Sequence, residues 1–242
     1  MEARESHADL PSTQLRAIEL ARAGAAEGTR VVARRQSAGR GRSDHSWFSP
    51  AGGLYLSIVL AASEPSPLLP LAIGAALVQE FRERYGVPAL LKWPNDLVVP
   101  TPIRKFGGIL VDRVPSPTLG AAVVVGVGLN VLAPAAAAPP GLTFPMTSLG
   151  EFVRPPPSLE ELEPLVAERV VGARRSLEGP DGVETARRAC RTLLYGVGRT
   201  VTVDGTIRGR IVGLEDDGAL TIDTGTERVA IRAGDLRVED GP

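Results

Sequence analysis

The run from Ala121 to Val131 constrains the fold most: it is strongly β-prone, and Val123, Val124 and Val125 stand in a row. A strand with no polar alternation is one covered on both faces, so the sequence predicts a central, buried sheet. Further strands are predicted at 29–35, 54–60 and 89–92, the last opening a hairpin whose return strand is expected at about Phe106 to Asp112. Helices follow from apolar spacing. Ser12 is a good N-cap ahead of Leu15, Ile18, Ala21 and Ala25; Leu68 to Tyr85 marks a long helix ended by Gly86-Val87-Pro88; Leu159 to Leu177 and Val183 to Leu194 mark two more. Cys190 falls on the apolar face of the last helix and reads as a buried, inert thiol.

After Tyr195-Gly196 the pattern changes to short strands at 199–203, 207–215, 219–223 and 228–231, separated by Asp204-Gly205, Asp217-Gly218 and Thr224-Gly225. This predicts a small β-barrel-like appendage of about 50 residues, near the lower limit for independent stability and therefore packed on the main body. The expected division is 1–194 and 195–242. The Ala and Pro tract from Ala133 to Pro140 reads as a surface connection without a chemical role.

A formal net charge of -1 supplies no bulk attraction for nucleic acid. The single cysteine can form neither an internal disulfide nor a cysteine-based metal site, which makes the cytoplasm the default location. The N-terminus has no apolar stretch behind a basic start, so no signal peptide is predicted, and the apolar runs are too short to span a bilayer.

The loop from Gln36 to Gly53 is longer than the about 12 to 15 residues beyond which unstructured connections are usually functional or disordered. It opens Gln36-Ser37-Ala38-Gly39-Arg40-Gly41-Arg42 and continues through Trp47. Glycines let the backbone approach an anion closely, and each guanidinium offers a planar fork of donors to carboxylate or phosphate. A solvated basic loop, or an Arg-Gly nucleic-acid contact, fits that heptapeptide as well. Lys92-Trp93-Pro94-Asn95-Asp96 puts a cation, an amide and a carboxylate around a rigid turn, and also reads as a plain turn in which Lys92 pairs with Asp96. Lys105-Phe106-Gly107-Gly108-Ile109-Leu110 opens a strand with a lysine and two glycines. Gly126-Val127-Gly128-Leu129-Asn130 ends the buried strand, where glycines let a ligand lie flat on the backbone. It is not a dinucleotide fingerprint, since no helix follows and the third glycine is missing.

In this order and on these elements the four segments resemble the biotin protein ligase family over nearly the whole chain, in the form without a DNA-binding domain, since fewer than a dozen residues precede Ser12. The resemblance implies an α+β fold: a mixed β-sheet with helices on one face, of the class II aminoacyl-tRNA synthetase and biotin ligase kind, followed by a small C-terminal SH3-like barrel. It implies ATP-dependent formation of biotinyl-5′-AMP, with magnesium accompanying ATP, and transfer of biotin to a lysine of the biotin carboxyl carrier domain of acetyl-CoA carboxylase or a related enzyme. No nucleic-acid or membrane partner is expected. Some family members are homodimers, and no residue here argues for or against that state.

By the same resemblance Lys105 and Arg40 are the catalytic residues. Ser12, Thr13, Gln14, Gln36, Gly39, Arg40, Gly41, Arg42, Lys105 and Gly108 contact biotin; Arg40, Arg42, Trp47, Asn95, Lys105 and Asn130 contact the nucleotide; Asp96 lies on the acceptor-lysine side; and no metal ligands are assigned. Two departures stand out. Asp44 and His45 replace the family's usual glycine and arginine, which removes a cation near the phosphates, and Gln14 replaces an asparagine. Three rivals remain at this stage: a lipoate ligase, a nucleic-acid-binding module, and a homologue that binds biotin without catalysis.

Overall fold

The structure, a computed structural model, describes residues 3–43, 45–61, 66–133, 138–140 and 144–239. Asp44 and part of the 133–140 tract lie outside the described residues. The main sheet contains β1 (Arg4–His7), β2 (Arg30–Ala33), β3 (Gly53–Ala61), β4 (Leu90–Lys92), β5 (Asp96–Pro100), β6 (Ile103–Ser116) and β7 (Gly120–Asn130). Its order is β1-β2-β3-β7-β6-β5-β4. β1 and β2 are parallel and every other neighbouring pair is antiparallel, so the sheet is mixed, with β7 at its centre as the valine run requires.

Alternation along β3 and β7 divides the sheet into two unlike faces. Leu54, Leu56, Ile58 and Leu60, with Val123, Val125, Val127 and Leu129, point into the main core. That core is covered by α2 (Leu69–Tyr85), α3 (Leu159–Leu177) and α4 (Gly182–Leu193). On the opposite face Val59, Ala122, Val124 and Val114 pack against Ala17, Ile18 and Ala21 of α1 (Thr13–Arg22). Three helices therefore share one face as expected, and α1 alone occupies part of the other. It covers only half of that face. Where the strands continue past it, β7 offers Gly126, Gly128 and Asn130 and β6 offers Gly108, which leaves an open floor beside the α1 N-terminus.

The hairpin expectation needs correction. The strand returning from β4 is β5, paired Lys92↔Asp96, and not the segment from Phe106 to Asp112, which belongs to the longer β6. Two further strands were not expected at all, β1 and the three-residue β12 (Leu236–Val238).

The C-terminal strands β8 (Thr200–Val203), β9 (Ile207–Leu214), β10 (Leu220–Asp223), β11 (Arg228–Ile231) and β12 form a separate antiparallel sheet in the order β11-β10-β9-β8-β12. Asp204 and Gly205 carry φ of 50° and 69° at the centre of the tight turn between β8 and β9, which Thr206 N closes by donating to Val203 O at 3.1 Å. The small sheet is seated on the main body. Trp93 is 1% exposed and its Nε1 donates to Gly218 O at 3.1 Å, while Tyr195 N donates to Leu91 O at 2.7 Å. Cys190 is fully buried, as expected, and burial pushes its thiol up to about 12.

Candidate active site

The open half of the sheet forms the floor of a cavity of about 730 Å³. Its far wall is the loop between β2 and β3, which folds back over the strands. Within the loop Arg40 bridges to Ser46, Gly41 N donates to His45 O at 2.7 Å and Trp47 N donates to Gly39 O at 2.8 Å, giving a small hairpin-like flap. Trp47 lies against the floor. A Cβ added to Gly128 would come 2.6 Å from Trp47 Nε1, and one added to Gly108 would come 3.2 Å from the same ring, so these glycines are what admit the indole. Arg40, Gly41 and Arg42 line the cavity from the flap. Gly39 does not: its missing side chain makes room for Ser49 Oγ and Trp47 O, each 2.5 Å from where a Cβ would lie.

A β-bulge aims Lys105. Leu97 pairs with Gly107 and the next residue, Val98, with Lys105, which leaves Phe106 as the extra residue in β6. Strict alternation would turn Lys105 to the same side as Gly107, whose missing side chain faces Leu97 and Leu129 in the core. The bulge instead turns it toward the cavity alongside Asp96 and Gly108. Backbone bonds from the opposite side hold the distortion: Lys105 N donates to Pro145 O at 2.8 Å and Thr147 N to Lys105 O at 3.0 Å.

The ammonium of Lys105 lies 2.6 Å from Asp96 Oδ1 and 4.8 Å from the Trp47 ring centroid. A second ammonium, of Lys92, lies 3.6 Å from Asp96 Oδ2 and 4.3 Å from the Phe144 ring centroid. Lys92 is only 3% exposed, and burial lowers its pKa below the ordinary lysine value, with Lys105 adding to the effect against Asp96 and Asp235. Two cations thus share one carboxylate on this wall, an arrangement complementary to an incoming anion.

At the other end of the cavity the α1 N-terminus is braced by side chains. Ser12 caps the helix through Leu15 N and lines the cavity as well. Thr13 N and Oγ1 both donate to Gln36 Oε1, at 2.8 and 3.1 Å. Gln14 Nε2 donates to Asp112 Oδ2 at 2.8 Å and to Val124 O at 3.0 Å, and its Oε1 accepts from Ser57 Oγ. Both protons of that amide are engaged with the protein, so Gln14 braces the wall. Asn95 is braced likewise, donating from Nδ2 to Ile109 O at 2.6 Å. Asn130 is 2% exposed and its Oδ1 has no protein partner.

Of the residues singled out from sequence, all except Gly39 line this cavity. Sequence reasoning missed Ser57, a lone polar residue inside an apolar strand, which was a usable signal. It also gave Lys92 only a turn-forming role. Asp204, Gly234, Asp235 and Leu236 of the C-terminal sheet line the mouth and carry no local signal that would have placed them there.

A mixed sheet with a glycine floor, a basic flap and a lysine held between a carboxylate and an indole makes a cavity complementary to an anionic ligand. Residues 9–130 match the model of the biotin/lipoate A/B protein ligase family, and residues 198–236 match that of the biotin protein ligase C-terminal domain. The chain belongs to the biotin/lipoate A/B protein ligase family, and its C-terminal part is of the biotin protein ligase kind. Among similar proteins, the biotin--[acetyl-CoA-carboxylase] ligase of Paracoccus denitrificans is 32% identical, over 93% of this chain and 96% of its own length. The bifunctional ligase/repressor BirA of Bacillus subtilis is 30% identical, over 96% of this chain and 73% of its own. Among solved structures, the biotin protein ligase from Aquifex aeolicus in complex with biotin and ATP superposes with a TM-score of 0.82 at 27% identity, covering 99% of this chain and all of that one.

Proposed function

We propose that this chain is a biotin protein ligase, which condenses biotin with ATP to biotinyl-5′-AMP and pyrophosphate and then transfers biotin to a lysine of a carboxylase's biotin carboxyl carrier domain. The observation that carries the reading is the ammonium of Lys105, turned by a bulge into a glycine-floored cavity beside Asp96 and Trp47. The first step brings the biotin carboxylate against the α-phosphorus of ATP. Two anions must approach, so the site has to neutralise charge and hold them in line. Lys105 does so from the floor, and Arg40 and Arg42 from the flap. Ser12, Thr13 and Gln36 address the ureido end of biotin, and Gln14 holds that wall in place. Trp47, Asn95 and Asn130 line the nucleotide's side of the cavity, and the flap keeps water from the mixed anhydride.

In the second step the carrier lysine attacks the acyl carbon and AMP leaves. Asp96 orients the incoming amine and takes up its proton, with Lys92 and Lys105 as the flanking charges. Residues 1–194 carry this chemistry and 195–242 form the SH3-like part, which contributes to the cavity mouth. Magnesium belongs to this reaction as the partner of the ATP phosphates; among the described residues no cluster of three or more His, Cys, Asp or Glu is placed to hold a metal ion. The reading places the reaction in the cytoplasm with no nucleic-acid partner; among the described residues no helix is long and apolar enough to cross a membrane. Pyrophosphate release tests the first step: it is expected to require biotin and ATP together, and release that is independent of biotin would overturn the proposal.

A further inference from the structure

The base of the flap is tied to the α1 side by Ser37 N and Ala38 N, which donate to Leu10 O at 3.1 Å and Pro11 O at 2.9 Å, and its two ends are joined to each other by Gln36 and Ser49. Gln36 N donates to Ser49 O at 3.1 Å, and Gln36 Nε2 donates to Ser49 Oγ at 2.8 Å, so Gln36 and Ser49 form a two-point clasp. Ser49 Oγ donates in turn to Trp47 O at 3.0 Å. On the inner side Gln36 Oε1 accepts from Thr13 Oγ1, and Ser57 Oγ lies 3.0 Å from both Thr13 Oγ1 and Gln14 Oε1, which share its single proton. The donors run in one direction toward the flap: Thr13 to Gln36, through its two amide ends to Ser49, and then to Trp47. Chained hydrogen bonds of this kind polarise one another in a buried setting. Ser49 is 3% exposed and does not line the cavity, so its hydroxyl acts only through its neighbours. Gly39 reports the same close fit, since a Cβ there would lie 2.5 Å from both Ser49 Oγ and Trp47 O.

We propose that Ser49 is a positioning residue for the ligase reaction: by tying Trp47 to Gln36 it holds the flap over the site, so that the adenylate stays enclosed until the carrier lysine attacks it. The inference rests on the biotin ligase reading. It places adenylate retention in the base of the flap as well as in its arginines. Removing the hydroxyl leaves Gln36 Nε2 and the Trp47 carbonyl without their shared partner, and the flap then opens while the adenylate is still bound.

The test uses the full chain with biotin, ATP and a purified carrier domain, and follows pyrophosphate formed, biotin transferred and biotinyl-5′-AMP found free in solution. For Ser49→Ala the ratio of free adenylate to transferred biotin is expected to rise about fivefold or more, with pyrophosphate formation continuing. Ser49→Thr, which keeps the hydroxyl, is expected to hold the wild-type ratio. A general loss of structure would lower pyrophosphate and transfer together and leave the ratio where it was. An unchanged ratio in a Ser49→Ala protein that still forms pyrophosphate at close to the wild-type rate, or a threonine variant as leaky as the alanine one, overturns the inference. Should Ser49→Ala fail to fold, Ser49→Cys keeps the volume while weakening both bonds, and the same ratio decides. Wild-type protein that forms no pyrophosphate with biotin and ATP overturns the ligase reading itself, which separates the two failures.

Discussion

Lys105 Nζ stands 2.6 Å from Asp96 Oδ1 because the bulge at Phe106 turns the lysine out of the core and onto the face that carries Asp96. The pair joins the residue to which the proposed mechanism gives the reacting anion and the one to which it gives the acceptor amine. Lys105→Ala is expected to slow biotin-dependent pyrophosphate release by about 10²- to 10³-fold, the usual effect of losing one preorganised charge donor. Asp96→Asn is expected to slow transfer to the carrier more than adenylate formation. Single-turnover assays of each step check the split, and equal losses in both steps for Asp96→Asn would count against its acceptor-side role.

Gly128 and Trp47 are in contact through the absence of a side chain. Gly128→Ala puts a methyl group 2.6 Å from Trp47 Nε1 on a central strand that cannot yield, so the indole must move. Overpacking of this kind costs about 1 to 3 kcal/mol, and the affinity for ATP is expected to fall by about tenfold. Gly172→Ala serves as the control. Nothing stands within 4 Å of a Cβ there, and alanine in an exposed helical turn is expected to leave binding unchanged. Titration calorimetry on both variants measures the difference.

The buried ammonium of Lys92 makes stability depend on pH in a defined direction. Its folded-state pKa is lowered by burial, so between that value and the ordinary lysine pKa of about 10.4 the unfolded chain binds more protons than the folded one. Stability contributed at this site therefore rises with pH through that interval. Lys92→Met removes the rise, and because Asp96 keeps Lys105 as its partner, the variant is expected to be no less stable than wild type at neutral pH. Urea melts of both proteins across the alkaline range check this; a wild-type stability that falls relative to the variant would contradict it.

Trp93 joins the two sheets, and its loss is expected to weaken both at once. Trp93→Ala empties a fully enclosed site and removes the bond to Gly218, at a cost of about 3 to 5 kcal/mol. Residues of the main and C-terminal sheets share one core cluster, so a single cooperative transition is expected to shift to lower denaturant. Two separate transitions would show that the sheets unfold independently.

The elements legible in the sequence were those with a long apolar period. The Leu159 to Leu177 spacing is matched by α3 residue for residue, and the valine run is the central strand. β1 was invisible because Arg4-Glu5-Ser6-His7 has no apolar alternation; it is an edge strand whose charged side chains are paired, Arg4 with Glu163 and Glu5 with Arg16. β5 was lost because Asp96 and Pro100 bound only a short apolar stretch. In the site, the flap and the glycine floor were readable as motifs. The direction of Lys105 was not, since counting alternate residues puts it on the wrong face and only the bulge corrects it. Nor was the mouth, where Asp235 and Leu236 arrive from a different sheet.

The central claim is tested most directly by incubating the protein with ATP, a purified biotin carboxyl carrier domain and either biotin or lipoate, for wild type and Lys105→Ala. The account predicts labelling of one carrier lysine with biotin by wild type, little or none with lipoate, and loss of labelling in Lys105→Ala. Labelling with lipoate in preference to biotin, or a folded wild-type protein that binds biotin and labels nothing, would contradict it.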